Sequence, residues 1–396
     1  MLASLIYTLR CAWSDWTLYG HPNGMDFTTF WAASRLWLDG RPLESYSYDA
    51  LINIAARYIS PNLPFLGPFF YPPTFLLLLR PLAWLPSPVA YSLFALTSAG
   101  IFVSLLRRTV STSGALLPIV AFPGIWLTMA QGQNSCMTAS LALGAFMLLN
   151  TRPILAGVCI GMLSIKPHLA VLFPLALGCA GMWSAFVAAG VTFALMTGVS
   201  IAVFGLAVIP AFLHSVAIAN QLLAIDALPL AQTASLFATL RLVHVPLAPA
   251  YVAQACQALA ATTVVIWVWR KTDDLAVRAT ALVAATCMIS PYFFNYDTAW
   301  LGVPIALFTA KALRGGWLSW EREILCVAWL YPGLGDLCGI SLHAGLGPLV
   351  FASLLVVAVR RTRQERRMVT TMPPAESARN QARSRDVSRA DAAIGA

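Results

Sequence analysis

The 396 residues are 59% hydrophobic and only 10% charged, with a formal net charge of +9. A soluble domain carries about 25% charged residues, so a chain this apolar needs a bilayer as solvent for its surface. The positive charge does not point to nucleic acid, because it is concentrated at the end, in Arg360, Arg361, Arg363, Arg366 and Arg367 and then Arg379, Arg383, Arg385 and Arg389, as in a cytoplasmic tail beside a last membrane helix. Six of the eight cysteines (136, 159, 179, 256, 287 and 326) fall in apolar runs without a C-x-x-C pair and read as small packing residues, not a disulfide framework.

The first apolar segment, Met1 to about Tyr19, is interrupted by Arg10 and Asp15 and lacks a small-residue cleavage site, which argues against a cleaved signal peptide. It is short for a span of ~20 residues, so the true start is expected upstream. A long outer loop follows, at about 21–87. Within it, Phe27, Phe30, Trp31, Ser34 and Leu38 recur at i, i+3, i+4, i+7 spacing and predict an amphipathic helix over 26–40, stopped by Gly40-Arg41-Pro42. A second short helix is predicted from Tyr48 to Tyr58. Pro61, Pro64, Pro68, Pro72 and Pro73 then break regular structure. The run at 74–85 is too short to cross alone and reads as re-entrant or interfacial.

Crossings are predicted at 88–106, 115–130, 134–150, 153–165, 169–181, 184–208, 248–268, 276–290, 297–313, 323–339 and 342–359. A second outer loop, at 209–247, carries an interfacial helix from Ile218 to Leu230. The expected architecture is therefore an all-α polytopic membrane protein of about twelve helices. It forms a single domain over 1–359, with a disordered, basic cytoplasmic tail at 360–396. With both termini inside, alternation puts Arg107-Arg108, Arg152, Arg270-Lys271 with Arg278, Lys311-Arg314-Arg322 and the tail in the cytoplasm. The same alternation gathers four polar stretches on the outer face: the Asp26 loop, Gln131 to Asn134, Lys166 to His168, and Tyr292 to Asp297.

Each stretch has a chemical and a structural reading. Asp26, a carboxylate near membrane depth, is either a general base for an acceptor hydroxyl or the cap of the helix that follows. Lys166, among Leu163, Ile165, Leu169 and Val171, is costly unless it meets an anion such as a phosphate diester, with His168 beside it, or snorkels to the interface. Gln133 and Asn134 either bind sugar hydroxyls or cap a helix. Tyr292, Asn295, Tyr296 and Asp297 resemble a carbohydrate platform, or else an interfacial aromatic belt. Arg35 either reaches an anionic group or is solvated. Phe70-Tyr71-Pro72-Pro73 reads as a rigid, structural corner. No phosphate-binding glycine loop, dinucleotide fingerprint, metal-ligand spacing or D-x-D motif is present in the sequence.

Met25-Asp26-Phe27 through Gly40-Arg41-Pro42, Tyr71-Pro72-Pro73, Gly132-Gln133-Asn134, Lys166-Pro167-His168 and Ser290-Pro291, in this order, resemble the polyprenol-phosphate-mannose-dependent α-1,2-mannosyltransferases, glycosyltransferase family 87. The resemblance covers roughly residues 20–310. It implies a GT-C-type bundle and an inverting transfer of a hexose, most simply mannose, from a polyprenyl-phosphate sugar to a hydroxyl of a lipid-linked or cell-envelope glycan. It places the base at Asp26 and implies no metal, nucleotide or other cofactor. By the same expectation, Lys166 with His168 or Arg35 holds the donor phosphate, and Gln133, Asn134, Tyr292, Asn295, Tyr296 and Asp297 orient sugar and acceptor, in a plasma membrane. Where family members acting on phosphatidylinositol mannosides tend to carry a His-His pair after Ser-Pro, this chain has Tyr296-Asp297, which leaves the acceptor and the sugar open. The alternative from another class is a transporter or flippase for a lipid-linked sugar, using Asp26 and Lys166 as a charge-coupled pair.

Overall fold

A computed structural model describes residues 24–60, 66–342 and 345–371. The first apolar segment, Pro61, Pro64 and the end of the basic tail lie outside the described residues. The rest is helical. No β-strand occurs among the described residues, and a single antiparallel bridge joins Thr233 and Phe294.

Helix α1 (Met25–Leu38) follows Gly24, whose φ of 73° turns the chain into the helix. Phe27, Phe30, Trp31 and Ser34 are buried, as their spacing predicts. The helix ends at Leu38, and Gly40 at φ 79° carries the chain away. Helix α2 (Tyr48–Tyr58) is capped by Ser47 and buries Leu51, Ile54 and Ala55. The predicted re-entrant run is α3 (Pro73–Leu79) continued by a 3-10 turn over Arg80–Trp84. Together with Phe69 and Phe75, these elements form a separate aromatic core beside the main bundle.

The bundle comprises α4 (Ser87–Thr109), α5 (Leu116–Val120), α6 (Pro123–Gln131), α7 (Ser135–Leu148), α8 (Pro153–Met162), α9 (Leu172–Cys179), α10 (Trp183–Phe204), α11 (Val208–Ala224), α12 (Leu236–Leu242), α13 (Leu247–Lys271), α14 (Leu275–Ile289), α15 (Gly302–Gly315), α16 (Glu321–Leu342) and α17 (Gly347–Thr371). Among the described residues, four helical stretches are long and apolar enough to cross a membrane: 87–109, 113–131, 183–204 and 247–271. The second is interrupted at Ala121-Phe122, where Pro123 starts a new helix. Other predicted crossings correspond to shorter apolar helices of 10–17 residues, such as α7 and α14. Helix α10 turns Val187, Val191, Leu195, Val199 and Val203 outward, a surface suited to lipid. These apolar helices make the chain a membrane protein.

Two boundaries differ from expectation. The helix expected at Ile218–Leu230 is α11, which starts ten residues earlier, at Val208, and ends at Ala224; His214 rides on it instead of lying in a loop. The last helix runs past 359 to Thr371. Its extension is tied down by Arg361, whose buried guanidinium meets Glu321 at 2.5–2.6 Å and also donates to the carbonyl of Gly316. Nearby, Lys311 pairs with Asp274 and Glu365 at 2.6 and 2.8 Å. These ion pairs lie at the start of α14. The polar segment 290–297 follows its far end, 15 residues or about 22 Å away.

Candidate active site

The expected polar stretches meet at one cavity of about 610 Å³, where the aromatic core abuts the bundle. Backbone contacts set the first meeting. Gly24 N–H donates to the carbonyl of Ala130 at 2.7 Å, and the Tyr91 hydroxyl donates to that of Met129 at 2.6 Å. Gly132 closes α6 at φ 73°, and a Cβ there would stand 2.7 Å from Phe27 Cβ and 2.9 Å from Gly24 Cα. Only glycine permits this approach. It brings the turn after α6 against the first turn of α1.

Asp26 occupies that first turn and lines the cavity. The helix begins at Met25 with Gly24 as its N-cap, so Asp26 sits inside the helix and not at the cap; its charge is still favoured there by the helix dipole. Gln133 Nε2 donates to Asp26 Oδ2 at 2.6 Å, and the Tyr71 hydroxyl donates to Gln133 Oε1 at 2.7 Å. Tyr71 belongs to the proline-rich corner, and burial, with the Asp297 and Asp26 carboxylates nearby, holds its proton well above the usual phenol range.

Lys166 and Asp297 line the same cavity. Pro167 breaks the chain between α8 and α9, and Lys166 Nζ lies 2.5 Å from Asp297 Oδ1 with both side chains almost wholly buried. Ser135 donates to the same oxygen at 2.5 Å, whereas Asp297 Oδ2, also buried, has no hydrogen-bond partner among the described residues. The ammonium lies over two aromatic faces, 4.8 Å from the Tyr296 ring centroid and 5.9 Å from that of Tyr71. Lys166 is thus a paired cation, not an open one. His168 lines the cavity with its Nε2 buried and without a hydrogen-bond partner among the described residues. Burial and the Lys166 charge depress it to about 4, so it is neutral near pH 7 and is no second cation.

The remaining expected residues divide. Tyr292 and Tyr296 line the cavity, with Phe294 stacked on Tyr296 at 5.3 Å and 14°. The Tyr292 hydroxyl donates to Asn220 Oδ1 of α11 at 2.6 Å. Asn295 is buried behind the lining, accepting from Gln131 Nε2 at 3.2 Å and from Tyr296 N at 2.8 Å. Asn134 is fully buried and lies outside the lining; it precedes α7 as N-cap without a side-chain capping bond. Arg35 also lies outside the lining, against Asp39 at 3.2 Å and over the Tyr58 ring at 4.7 Å. Among the described residues, no cluster of three or more His, Cys, Asp or Glu side chains is placed to hold a metal ion.

Three lining groups were not anticipated. Tyr71 reads in sequence as part of a structural corner; a tyrosine beside two prolines in an otherwise apolar aromatic run is the signal that its hydroxyl has a partner. Gln131 points into the cavity two residues before Gln133. Phe212, Val216 and Ala219 of α11, with Leu228 and Pro229, make an apolar wall. That wall is joined to the Tyr292–Asp297 segment by the Thr233–Phe294 bridge and by Ala234 N–H donating to the Phe293 carbonyl at 2.7 Å. Nothing in local spacing announces a wall of this kind.

A carboxylate held by an amide, a buried ammonium, stacked aromatic rings and an apolar wall suit a ligand that is part sugar, part anion and part hydrocarbon. A family model described as glycosyltransferase family 87 matches residues 69–291, more than half of the chain. A curated protein of Mycobacterium tuberculosis, named polyprenol-phosphate-mannose-dependent alpha-(1-2)-phosphatidylinositol mannoside mannosyltransferase, is 41% identical over 76 residues, covering 19% of this chain and 16% of that protein. The chain therefore matches about a sixth of the length of that relative. No solved structure matches at a significant level.

Proposed function

This chain belongs to glycosyltransferase family 87, and from that membership we propose that it transfers a hexose, mannose in the first instance, from a polyprenyl-phosphate sugar to a hydroxyl of a lipid-linked or envelope glycan. It is a glycosyltransferase by family; the donor, the mechanism and the acceptor are our reading. The observation that carries it is that Asp26 and the Lys166–Asp297 pair line one cavity that also has an apolar side.

In this mechanism the acceptor hydroxyl donates its proton to Asp26 as its oxygen attacks the sugar C1 on the face opposite the phosphate. The C1–O bond breaks, its electrons go to the phosphate oxygen, and the lipid phosphate leaves, so the anomeric centre inverts. The developing phosphate charge needs a donor beside it. Lys166 has three N–H donors and Asp297 Oδ1 takes one at 2.5 Å, so the same ammonium can bridge Asp297 and a phosphate. Gln133 and the Phe294–Tyr296 stack face the sugar and acceptor, and the α11 wall meets the lipid. By the positive-inside pattern the cavity opens on the extracytoplasmic face of the plasma membrane, with both termini cytoplasmic.

The test is transfer of label from radiolabelled polyprenyl-phosphate mannose by purified protein in the presence of a membrane lipid extract. Wild type is expected to make a glycosidic product, and Asp26→Asn to lose at least about 100-fold in rate. Full activity in Asp26→Asn sinks the base. Movement of the labelled lipid across vesicles without a new glycosidic bond means a flippase instead.

A further inference from the structure

We propose that Tyr71 is a positioning residue for Asp26 and acts through Gln133. The inference rests on the reading of Asp26 as the base, and it adds a residue that lies outside the expected set. An ionised carboxylate only accepts hydrogen bonds, so the end of Gln133 that faces Asp26 Oδ2 at 2.6 Å must be Nε2. That leaves Oε1 facing Tyr71, whose hydroxyl must then donate across 2.7 Å. The chain Tyr71 O–H to Gln133 C=O, and Gln133 N–H to Asp26, has one consistent direction. Each member fixes the next.

Tyr71 is itself held. Its carbonyl accepts from the Tyr46 hydroxyl at 3.2 Å, and its ring packs edge-on to Phe30 at 5.0 Å and against Phe75 at 4.9 Å. Pro72 and Pro73 follow and stiffen the backbone. The face of the same ring lies 5.9 Å from Lys166 Nζ. One tyrosine therefore serves two groups of the cavity: its hydroxyl sets the base and its ring borders the cation. Phenylalanine at this position keeps the ring and removes only the hydroxyl whose proton orients Gln133. The Gln133 amide is then released, and Asp26 loses a donor that favours its charged form.

Among the described residues, the charged and titratable groups that line the cavity with Asp26 are Tyr71 from the corner, Lys166 and His168 from the break between α8 and α9, and Tyr292, Tyr296 and Asp297 from the segment after α14. None of them is altered by Tyr71→Phe except Tyr71 itself. A carboxylate that has lost a donor protonates at higher pH, so the acid limb of activity moves upward.

Two readouts test this on the full chain. Infrared difference titration of wild type against Asp26→Asn isolates the Asp26 carboxyl band without any substrate. In Tyr71→Phe that band is expected to titrate about one pH unit higher. In the transfer assay with radiolabelled polyprenyl-phosphate mannose, kcat is expected to fall about 10- to 100-fold while the donor KM stays within about 2-fold. Gln133→Leu should show the same two changes, and Tyr71→Phe added to Gln133→Leu should bring no further loss. An unshifted titration in Tyr71→Phe, or losses that add in the double variant, overturns the inference even if Asp26→Asn is inactive. An upward shift together with full activity in Asp26→Asn leaves the positioning intact and removes the base.

Discussion

Lys166 and Asp297, 131 residues apart in the chain, close a buried ion pair whose Nζ–Oδ1 distance is 2.5 Å. The pair joins the break after α8 to the segment after α14, so it braces the cavity as well as lining it. Removing one partner strands a charge where water does not reach.

Asp297→Asn is therefore expected to destabilise the protein by about 3–5 kcal/mol, far more than a surface pair would. The measurement is the thermal or denaturant midpoint of the detergent-purified protein. The double variant Lys166→Met with Asp297→Leu should recover most of that stability, because apolar groups of similar volume need no partner, and should still fail to transfer sugar. Wild-type stability in Asp297→Asn means that the carboxylate is not the counter-ion of Lys166.

Two glycines with similar backbones separate geometry from strain. Gly132 and Gly40 stand at φ 73° and 79°, but an added Cβ meets Phe27 and Gly24 at 2.7 and 2.9 Å in the first case and nothing within 4 Å in the second. Gly40→Ala should cost only the left-handed strain, about 1–2 kcal/mol, and keep activity. Gly132→Ala adds a clash of about 1–3 kcal/mol and moves Gln133 relative to Asp26, so transfer should collapse. Equal activity in the two variants defeats the view that this glycine contact sets the site.

Arg35→Gln should leave transfer within about 2-fold of wild type. The side chain is paired with Asp39 and stacked on Tyr58 outside the cavity, and a pair of this exposure is worth about 0–1 kcal/mol. A loss of about 30-fold or more in kcat/KM for the donor would mean that Arg35 does reach the phosphate.

Arg35 also shows what the sequence held. Nine residues at 100° each turn a helix through two and a half circles, so Arg35 and Asp26 lie on opposite faces of α1. The helical spacing that correctly buried Phe27, Phe30, Trp31 and Ser34 already excluded Arg35 from the Asp26 side. Other features were local and legible: the α2 helix from Tyr48 to Tyr58, and the four polar stretches that now border or back one cavity. The Lys166–Asp297 and Gln133–Asp26 partnerships were not, since nothing in a residue's own neighbourhood names a partner more than 100 positions away. Helix lengths were blurred for a different reason. Apolar composition extends through the break at Ala121-Phe122, so hydropathy alone cannot see where a helix stops.

The α11 wall meets the rest of the cavity on different terms from the polar side. Asp26, Gln133, Lys166 and Asp297 are locked by backbone contact, ion pair and glycine turn, whereas Phe212, Val216, Ala219, Leu228 and Pro229 contribute only apolar surface. Chemistry and fit are thereby assigned to different segments of the chain. On the proposed reading, in which this wall meets the lipid, exchanging side chains along α11 and the 227–232 turn is a route to enzymes that accept longer, shorter or bulkier lipids with the reacting groups left in register.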